Sequence, residues 1–196
     1  MRRVSGRSWR ARLLAVTVAF GAVSLACADP SLRGTAIDPP KPLPALTLST
    51  ADGQPFSFNS GKPTFVFFGY TKCPDVCPTT LADWSRMQQR LGNRADAVQF
   101  LFVSVDPERD TPPVAQQYAH TFDSRILAVV PDSATSEALQ RAFGASWYRD
   151  GTSAAAGYLV AHSAQTFLVD GRGRLVALYS FGSGWDLMLH DVETLL

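Results

Sequence analysis

Apolar side chains recur along the chain at spacings that predict alternating strands and helices. The continuous apolar runs TFVFF (64–68) and VQFLFVSV (98–105) have the length and composition of strands buried on both faces. Between them, the apolar residues of Thr79–Leu91 follow the helical period, and Gly92 ends that segment. The order strand, helix, strand predicts parallel pairing at the centre of a sheet.

The rest of the chain predicts further elements on either side of this unit. Thr111-Pro112-Pro113 favours the start of a helix through Phe122, and Ser133 is expected to cap another helix through Phe143. The other predicted elements are a hairpin at 46–58 that turns at Asp52-Gly53, a short strand at 127–130, a hairpin of strands 164–169 and 174–180, and a closing helix at 185–196. We therefore expect an α/β protein with a central mixed sheet flanked by helices and an N-terminal β-hairpin.

The first 27 residues have the pattern of an export signal. Five arginines lie among the first twelve residues, and an apolar run of 14 residues (13–26) leads to Cys27. The run is shorter than the roughly 20 residues that usually cross a bilayer and fits the apolar part of a secretory signal. Small residues before Cys27 favour a lipoprotein signal in which Cys27 carries lipid, although Ser24 and Leu25 reverse the usual order. An uncleaved anchor or an ordinary signal with a free Cys27 are the alternatives, and all three place the rest of the chain outside the cytoplasm.

Residues 28–45 are rich in proline and polar side chains and show no helical period. This composition predicts a stiff linker between the membrane tether and a single domain at 46–196. Without the five N-terminal arginines the chain has 13 basic against 17 acidic side chains, a net charge of −4. That balance argues against a nucleic-acid partner, which would favour dense lysine and arginine.

The segment GYTKCPDVCPTT joins the first buried strand to its helix and carries a pair of cysteines. Cys73 and Cys77 are four residues apart, a spacing that brings two side chains to one face of a helix. Free backbone N–H groups at a helix start, together with Lys72, favour thiolate over thiol. Such a pair can exchange disulfides or bind a soft metal. A purely structural disulfide is less favoured, because so short a loop gains little stabilisation.

Three histidines are available as a further metal donor. His120 and His190 fall within predicted helices and are expected to be ordinary helix-face residues. His162 stands just before the predicted strand at 164–169, which we expect to lie near the strand at 64–68, so that His162 approaches the cysteines. Two thiolates and one imidazole suit Cu(I), but zinc accepts the same set, and the donor types leave both metals open.

Three motifs together resemble the Sco/SenC family of copper-binding proteins. They are GKPTFVFFGYTKCPDVCPTTL (61–81), FVSVDPERDTP (102–112), and YLVAHS followed by FLVD (158–170). The resemblance covers about 46–196, and CPDVCP after the GY turn is its most specific part. It implies a thioredoxin-like fold and a site in which Cys73, Cys77 and His162 bind Cu(I) and Cu(II).

The resemblance also implies a role in assembling the binuclear copper centre in subunit II of cytochrome c oxidase. The domain would deliver copper or reduce the cysteines of that centre, at the periplasmic face of the inner membrane. Other copper chaperones or a thiol reductant would be further partners. Ala161 departs from the family pattern, in which an Asp that can orient the imidazole precedes the histidine. Asp75 and Asp106 match the pattern and are expected to shape their loops.

These residues leave three classes of function open. A metallochaperone needs all three donors, whereas a thiol–disulfide oxidoreductase needs only Cys73 and Cys77. A peroxidase of the same fold would use Thr71 close to Cys73, but the paired cysteines and His162 fit copper better.

Overall fold

The computed structural model describes residues 32–154 and 157–196, so the predicted signal segment with Cys27 lies outside the described residues. Within these two ranges no helix is both long enough and apolar enough to cross a membrane. The elements in chain order are β1 (Thr35–Pro42), β2 (Leu48–Ser49), β3 (Pro55–Phe56), β4 (Thr64–Gly69), α1 (Val76–Leu91), β5 (Gln99–Ser104), α2 (Pro112–His120), β6 (Ile126–Val129), α3 (Ser133–Phe143), β7 (Trp147–Ala154), β8 (Gly157–His162), β9 (Thr166–Val169), β10 (Arg174–Tyr179) and α4 (Trp185–Glu193), with a 3₁₀ helix at Gly92–Ala97.

A six-stranded mixed sheet lies at the centre, in the order β1-β10-β9-β4-β5-β6. β4, β5 and β6 run parallel, while β9 pairs antiparallel with β4, and β10 and β1 continue antiparallel beyond it. Every residue of β4 is buried, as expected for a strand with neighbours on both sides and apolar cover on both faces. The predicted α/β architecture, with its central mixed sheet and the N-terminal hairpin β2–β3, is confirmed.

Several predicted boundaries shift by a few residues. α1 begins at Val76 rather than Thr79, so Cys77 lies in its first turn while Cys73 precedes the helix. The spacing had predicted that the two cysteines share one face of a helix, and this is wrong because Cys73 lies outside the helix. The cap of α3 is Asp132 rather than Ser133, because the Asp132 carboxylate accepts the backbone N–H of Thr135 at 2.7 Å.

The predicted linker at 28–45 is wrong for residues 35–42, which form β1 at the edge of the central sheet. The prolines had predicted a stiff linker there, but an edge strand tolerates them because one side of it needs no hydrogen-bond donors. The Asp191 carboxylate of α4 holds the start of this segment, since it accepts the backbone N–H groups of Arg33 and Gly34 at 2.7 Å each.

The segment before His162 forms two strands that the sequence had not predicted. β7 and β8 pair antiparallel as a separate two-stranded sheet, in a register that sets Trp147 opposite His162 and Tyr148 opposite Ala161. His162 is therefore the last residue of a strand. The polar and small residues around 151–157 lack the apolar alternation by which a half-buried strand is recognised.

Candidate metal centre

Cys73 and Cys77 lie where the buried strand β4 passes into α1. The backbone N–H of Cys73 donates to the Tyr70 carbonyl at 3.2 Å, which turns the loop back towards the helix. Cys77 is fully buried in the first turn of α1. A Cβ atom at Gly69 would lie only 2.7 Å from the Cys77 Sγ. Gly69 is therefore needed for the helix start to approach the strand end this closely.

The buried carboxylate of Asp110 fastens the cysteine loop to the neighbouring strand β5. It accepts the Thr71 backbone N–H at 3.0 Å, the Thr71 hydroxyl at 2.6 Å and the Ser104 hydroxyl at 2.7 Å. Asp110 is fully buried. The sequence pattern did not single out Asp110, although it lies in the DPERDTP motif. The Thr71 hydroxyl is committed to Asp110, which leaves it less suited to the role that a peroxidase would require.

His162 approaches the cysteines from the end of β8. Its Nδ1 lies 3.1 Å from the carbonyl oxygen of Ser163, and this contact fixes the orientation of the ring. The rings of Phe67 and Tyr70 contact the imidazole edge-on, each with a centroid separation of 5.8 Å. These contacts orient the imidazole with Nε2 towards the two sulfur atoms.

The three predicted donors thus meet in one place. Nε2 of His162 lies 3.8 Å from the Cys73 Sγ and 3.6 Å from the Cys77 Sγ, and the three donor atoms all lie within 4.8 Å of one another. A metal about 2.0–2.3 Å from each of three such donors would space them by roughly 3.5–4 Å. The donor set and its spacing therefore fit one soft or borderline metal ion.

The two thiols differ in their electrostatic surroundings. Hydrogen bonding from the Cys77 side chain, contact with His162, and the backbone N–H groups of Asp75 and Cys77 lower the pKa of Cys73 from 9.0 to about 4, against the opposing effect of burial. Burial, followed by the neighbouring Cys73, raises the pKa of Cys77. In the metal-free protein at neutral pH, Cys73 is a thiolate and Cys77 a thiol that donates to it.

The other residues that the sequence singled out lie apart from these donors. His120 is exposed at the end of α2, and the Nδ1 of His190 pairs with Asp191 at 3.0 Å. Asp75 precedes α1 as an exposed residue and makes no side-chain capping bond. Asp106 is buried and accepts the Tyr158 hydroxyl at 2.6 Å. Asp106 therefore holds two segments together, beyond the shaping of its own loop.

Two solved structures are similar to this chain over most of its length. The chain is similar to apo Sco1 of Thermus thermophilus, with a TM-score of 0.73 and 37% identity over 84% of this chain and 97% of that one. It is also similar to the copper-bound ScoI of Bradyrhizobium japonicum, with a TM-score of 0.71 and 32% identity over 79% of this chain and 99% of that one.

The fold is thioredoxin-like, as the resemblance implied. A thiol:disulfide interchange protein of the thioredoxin family from Chlorobium tepidum matches with a TM-score of 0.55 at 21% identity, over 80% of this chain and 96% of that one. The model of the SCO1/SenC family matches residues 41–196, which include the cysteine loop and the histidine strand. The chain therefore belongs to the SCO1/SenC family.

Proposed function

We propose that the protein is a copper metallochaperone that binds Cu(I) and Cu(II) through Cys73, Cys77 and His162. The observation that carries this proposal is the convergence of two thiol sulfurs and one imidazole nitrogen within 4.8 Å. Thiolates favour Cu(I), and imidazole suits copper in either oxidation state. Copper bound to the Bradyrhizobium relative supports the choice of copper over zinc.

Each donor has a distinct part in metal binding. Cys73 is already a thiolate at neutral pH, because its pKa is lowered to about 4. Cys77 has a raised pKa, so binding must displace its proton, and copper uptake is coupled to proton release. His162 offers an Nε2 lone pair whose direction is fixed by the Nδ1 contact with Ser163.

The target of this function is the binuclear copper centre in subunit II of cytochrome c oxidase, as the family resemblance implies. The signal-like segment at 1–27 supports a tether through lipid on Cys27 at the periplasmic face of the inner membrane. Other copper chaperones or a thiol reductant would load the site or keep it reduced.

A second candidate function is thiol–disulfide exchange with the cysteines of that same centre. The specific observation is the pairing of a low-pKa Cys73 with a free Cys77. The Cys73 thiolate would attack a partner disulfide to form a mixed disulfide, and Cys77 would then displace the partner sulfur. The products are a Cys73–Cys77 disulfide and a reduced partner dithiol, so electrons and protons balance within the pair of proteins.

Anaerobic titration of the full-length protein with Cu(I) and Cu(II) tests the copper proposal. We expect a single copper ion per chain, with thiolate-to-Cu(II) charge-transfer absorption. Cys73→Ser and Cys77→Ser remove binding or weaken it sharply, and His162→Ala weakens it, whereas His120→Ala, an exposed histidine on α2, changes nothing. Full copper affinity in the His162→Ala protein would falsify the three-donor site.

Reduction of an oxidised peptide that carries the subunit II cysteines tests the second candidate. The oxidoreductase requires Cys73 and Cys77 but not His162, so the His162→Ala protein would still reduce the peptide. If the wild-type dithiol leaves every such peptide oxidised, thiol exchange is not its function.

A further inference from the structure

The candidate site is assembled from two parts of the fold that do not share a sheet. The cysteines follow β4 of the central sheet, whereas His162 ends β8 of the separate hairpin β7–β8. The loop at 105–111, between β5 and α2, touches both parts, and we call it the bracket loop. Asp110 of this loop holds the cysteine side through its bonds to Thr71.

Arg109 of the bracket loop contacts β8, the strand that carries His162. Its Nη1 donates to the Tyr158 carbonyl at 2.9 Å, and its guanidinium carbon lies 3.7 Å from the centroid of the Tyr158 ring. Its Nε donates to Asp106, whose other carboxylate oxygen accepts the Tyr158 hydroxyl at 2.6 Å. Tyr158 stands four residues before His162 on β8. Arg109 therefore binds β8, the strand that carries His162, through the backbone carbonyl of Tyr158 and through the face of the Tyr158 ring.

Because they are buried, the contacts of Arg109 with Asp106 and Tyr158 are expected to be stronger than a surface ion pair. The side chains of Arg109 and Asp106 are 18% and 3% exposed, whereas those of the exposed pair Arg86 and Asp83 are 61% and 19% exposed. Water and salt screen charged hydrogen bonds and cation–π contacts, so these contacts are stronger where the side chains are buried away from solvent. The Arg109 guanidinium also lies 5.5 Å from the Tyr70 ring, which itself contacts the His162 imidazole.

The orientation of the imidazole depends on where the hairpin backbone lies. The Nδ1 partner of His162 is the carbonyl oxygen of the adjacent Ser163, and Ala161 precedes the histidine. An alanine cannot hydrogen-bond the imidazole through its side chain. A displacement of β8 would thus carry Nε2 and the Nδ1 partner together away from the sulfurs.

Building on the proposed copper function, we propose that Arg109 is a positioning residue that sets how tightly this site holds Cu(II) relative to Cu(I). Two thiolates alone suit Cu(I), which is soft, whereas Cu(II) favours a nitrogen donor in a defined geometry. By holding β8 against the bracket loop, Arg109 keeps the His162 nitrogen within reach of the metal. Without Arg109, the His162 nitrogen that Cu(II) favours is no longer held near the metal.

Copper titrations of the full-length Arg109→Gln protein in both oxidation states test this proposal. We expect the Cu(II) dissociation constant to rise by about 10- to 100-fold, the usual cost of losing a residue that orients a metal ligand, while that of Cu(I) changes by less than about threefold. Arg109→Lys keeps the charge but loses the planar fork, so it behaves like Arg109→Gln. Arg86→Gln is the matched control, because it removes an Arg–Asp pair of the same i,i+3 spacing and leaves both affinities unchanged.

A measurement without copper examines the same contact. Hydrogen exchange of the metal-free Arg109→Gln protein should be faster than wild type at the β8 amides and unchanged at those of β4 and β5. Tyr158→Phe removes only the hydroxyl bond to Asp106 and should shift both readouts in the same direction by less. If Arg109→Gln does not fold, Tyr158→Phe decides the question.

Two results would overturn the proposal while the wild-type protein still binds copper. One is unchanged Cu(II) affinity in the Arg109 variants, and the other is an equal loss for both oxidation states. A wild-type protein that binds no copper would instead overturn the proposed function itself. Hydrogen exchange would then still show whether Arg109 holds the hairpin.

Discussion

The two halves of the candidate site are built in different ways. The cysteine half grows from β4, a fully buried strand paired on both sides, and Cys77 has no exposed surface. The histidine half is the two-stranded hairpin β7–β8, which forms a sheet of its own among the described residues, and His162 is partly exposed. The fold thus fixes the two sulfurs through its core, whereas the position of the nitrogen depends on the attachment of one hairpin.

Because of this difference, substitutions on the cysteine side and on the histidine side should change different properties of the protein. Changes on the cysteine side disturb the central sheet and should lower the free energy of unfolding of the whole domain. Changes on the histidine side should leave most of the core intact and act on the third donor. Elements with few buried contacts open locally before the core does.

The largest effect on stability is expected from Asp110→Ala, on the cysteine side. The change leaves the Thr71 N–H, the Thr71 hydroxyl and the Ser104 hydroxyl without their acceptor in a buried place. We expect the free energy of unfolding in urea to fall by about 2–5 kcal/mol. Glu137→Ala, which removes an exposed carboxylate paired with the exposed Arg141, should cost no more than about 1 kcal/mol. Equal losses in the two variants would contradict the distinction drawn between core and surface carboxylates.

A smaller expected effect is a difference in alkylation rate between the two thiols of the cysteine half. Iodoacetamide should alkylate Cys73 of the metal-free, reduced protein at a nearly constant rate as pH falls from 8 to 5. The rate should halve near pH 4, because the folded pKa of Cys73 is about 4 and only the thiolate reacts. Cys77, buried and with a raised pKa, should react slowly throughout. In the urea-unfolded chain both thiols should instead titrate near pH 8.5.

Mass spectrometry of the alkylated peptides distinguishes the two positions. A Cys73 midpoint near pH 8.5 in the folded protein, or equal rates for both thiols, would show that the structure does not separate them. His162→Ala should move the Cys73 midpoint upward, because contact with His162 contributes to the lowered pKa.

The same contrast explains what could be predicted from the sequence. β4, β5 and the helix between them were predicted because buried strands give continuous apolar runs and α1 has a clear period. Cys73 and Cys77 were found with them because they follow β4 directly. The hairpin β7–β8 was missed because it is partly solvated and lacks an apolar alternation.

Two further differences arise from tertiary contacts that local patterns do not carry. β1 contains three prolines and forms a strand only because β10 supplies its single partner edge. Asp110 stands in a polar turn, where an acidic residue usually shapes the loop, and only the fold shows it to be a buried acceptor for the cysteine loop. The approach of His162 to the cysteines was expected from strand order, and the pairing of β9 with β4 confirms that reasoning.

X-ray absorption at the copper edge of the Cu(II)-loaded protein and of its His162→Ala variant identifies the atoms that bind the metal. We expect sulfur scattering from both cysteines together with imidazole scattering in the wild type, and the specific loss of the imidazole contribution in the variant. Identical spectra from the two proteins, or copper coordinated without sulfur, would contradict a site made by Cys73, Cys77 and His162.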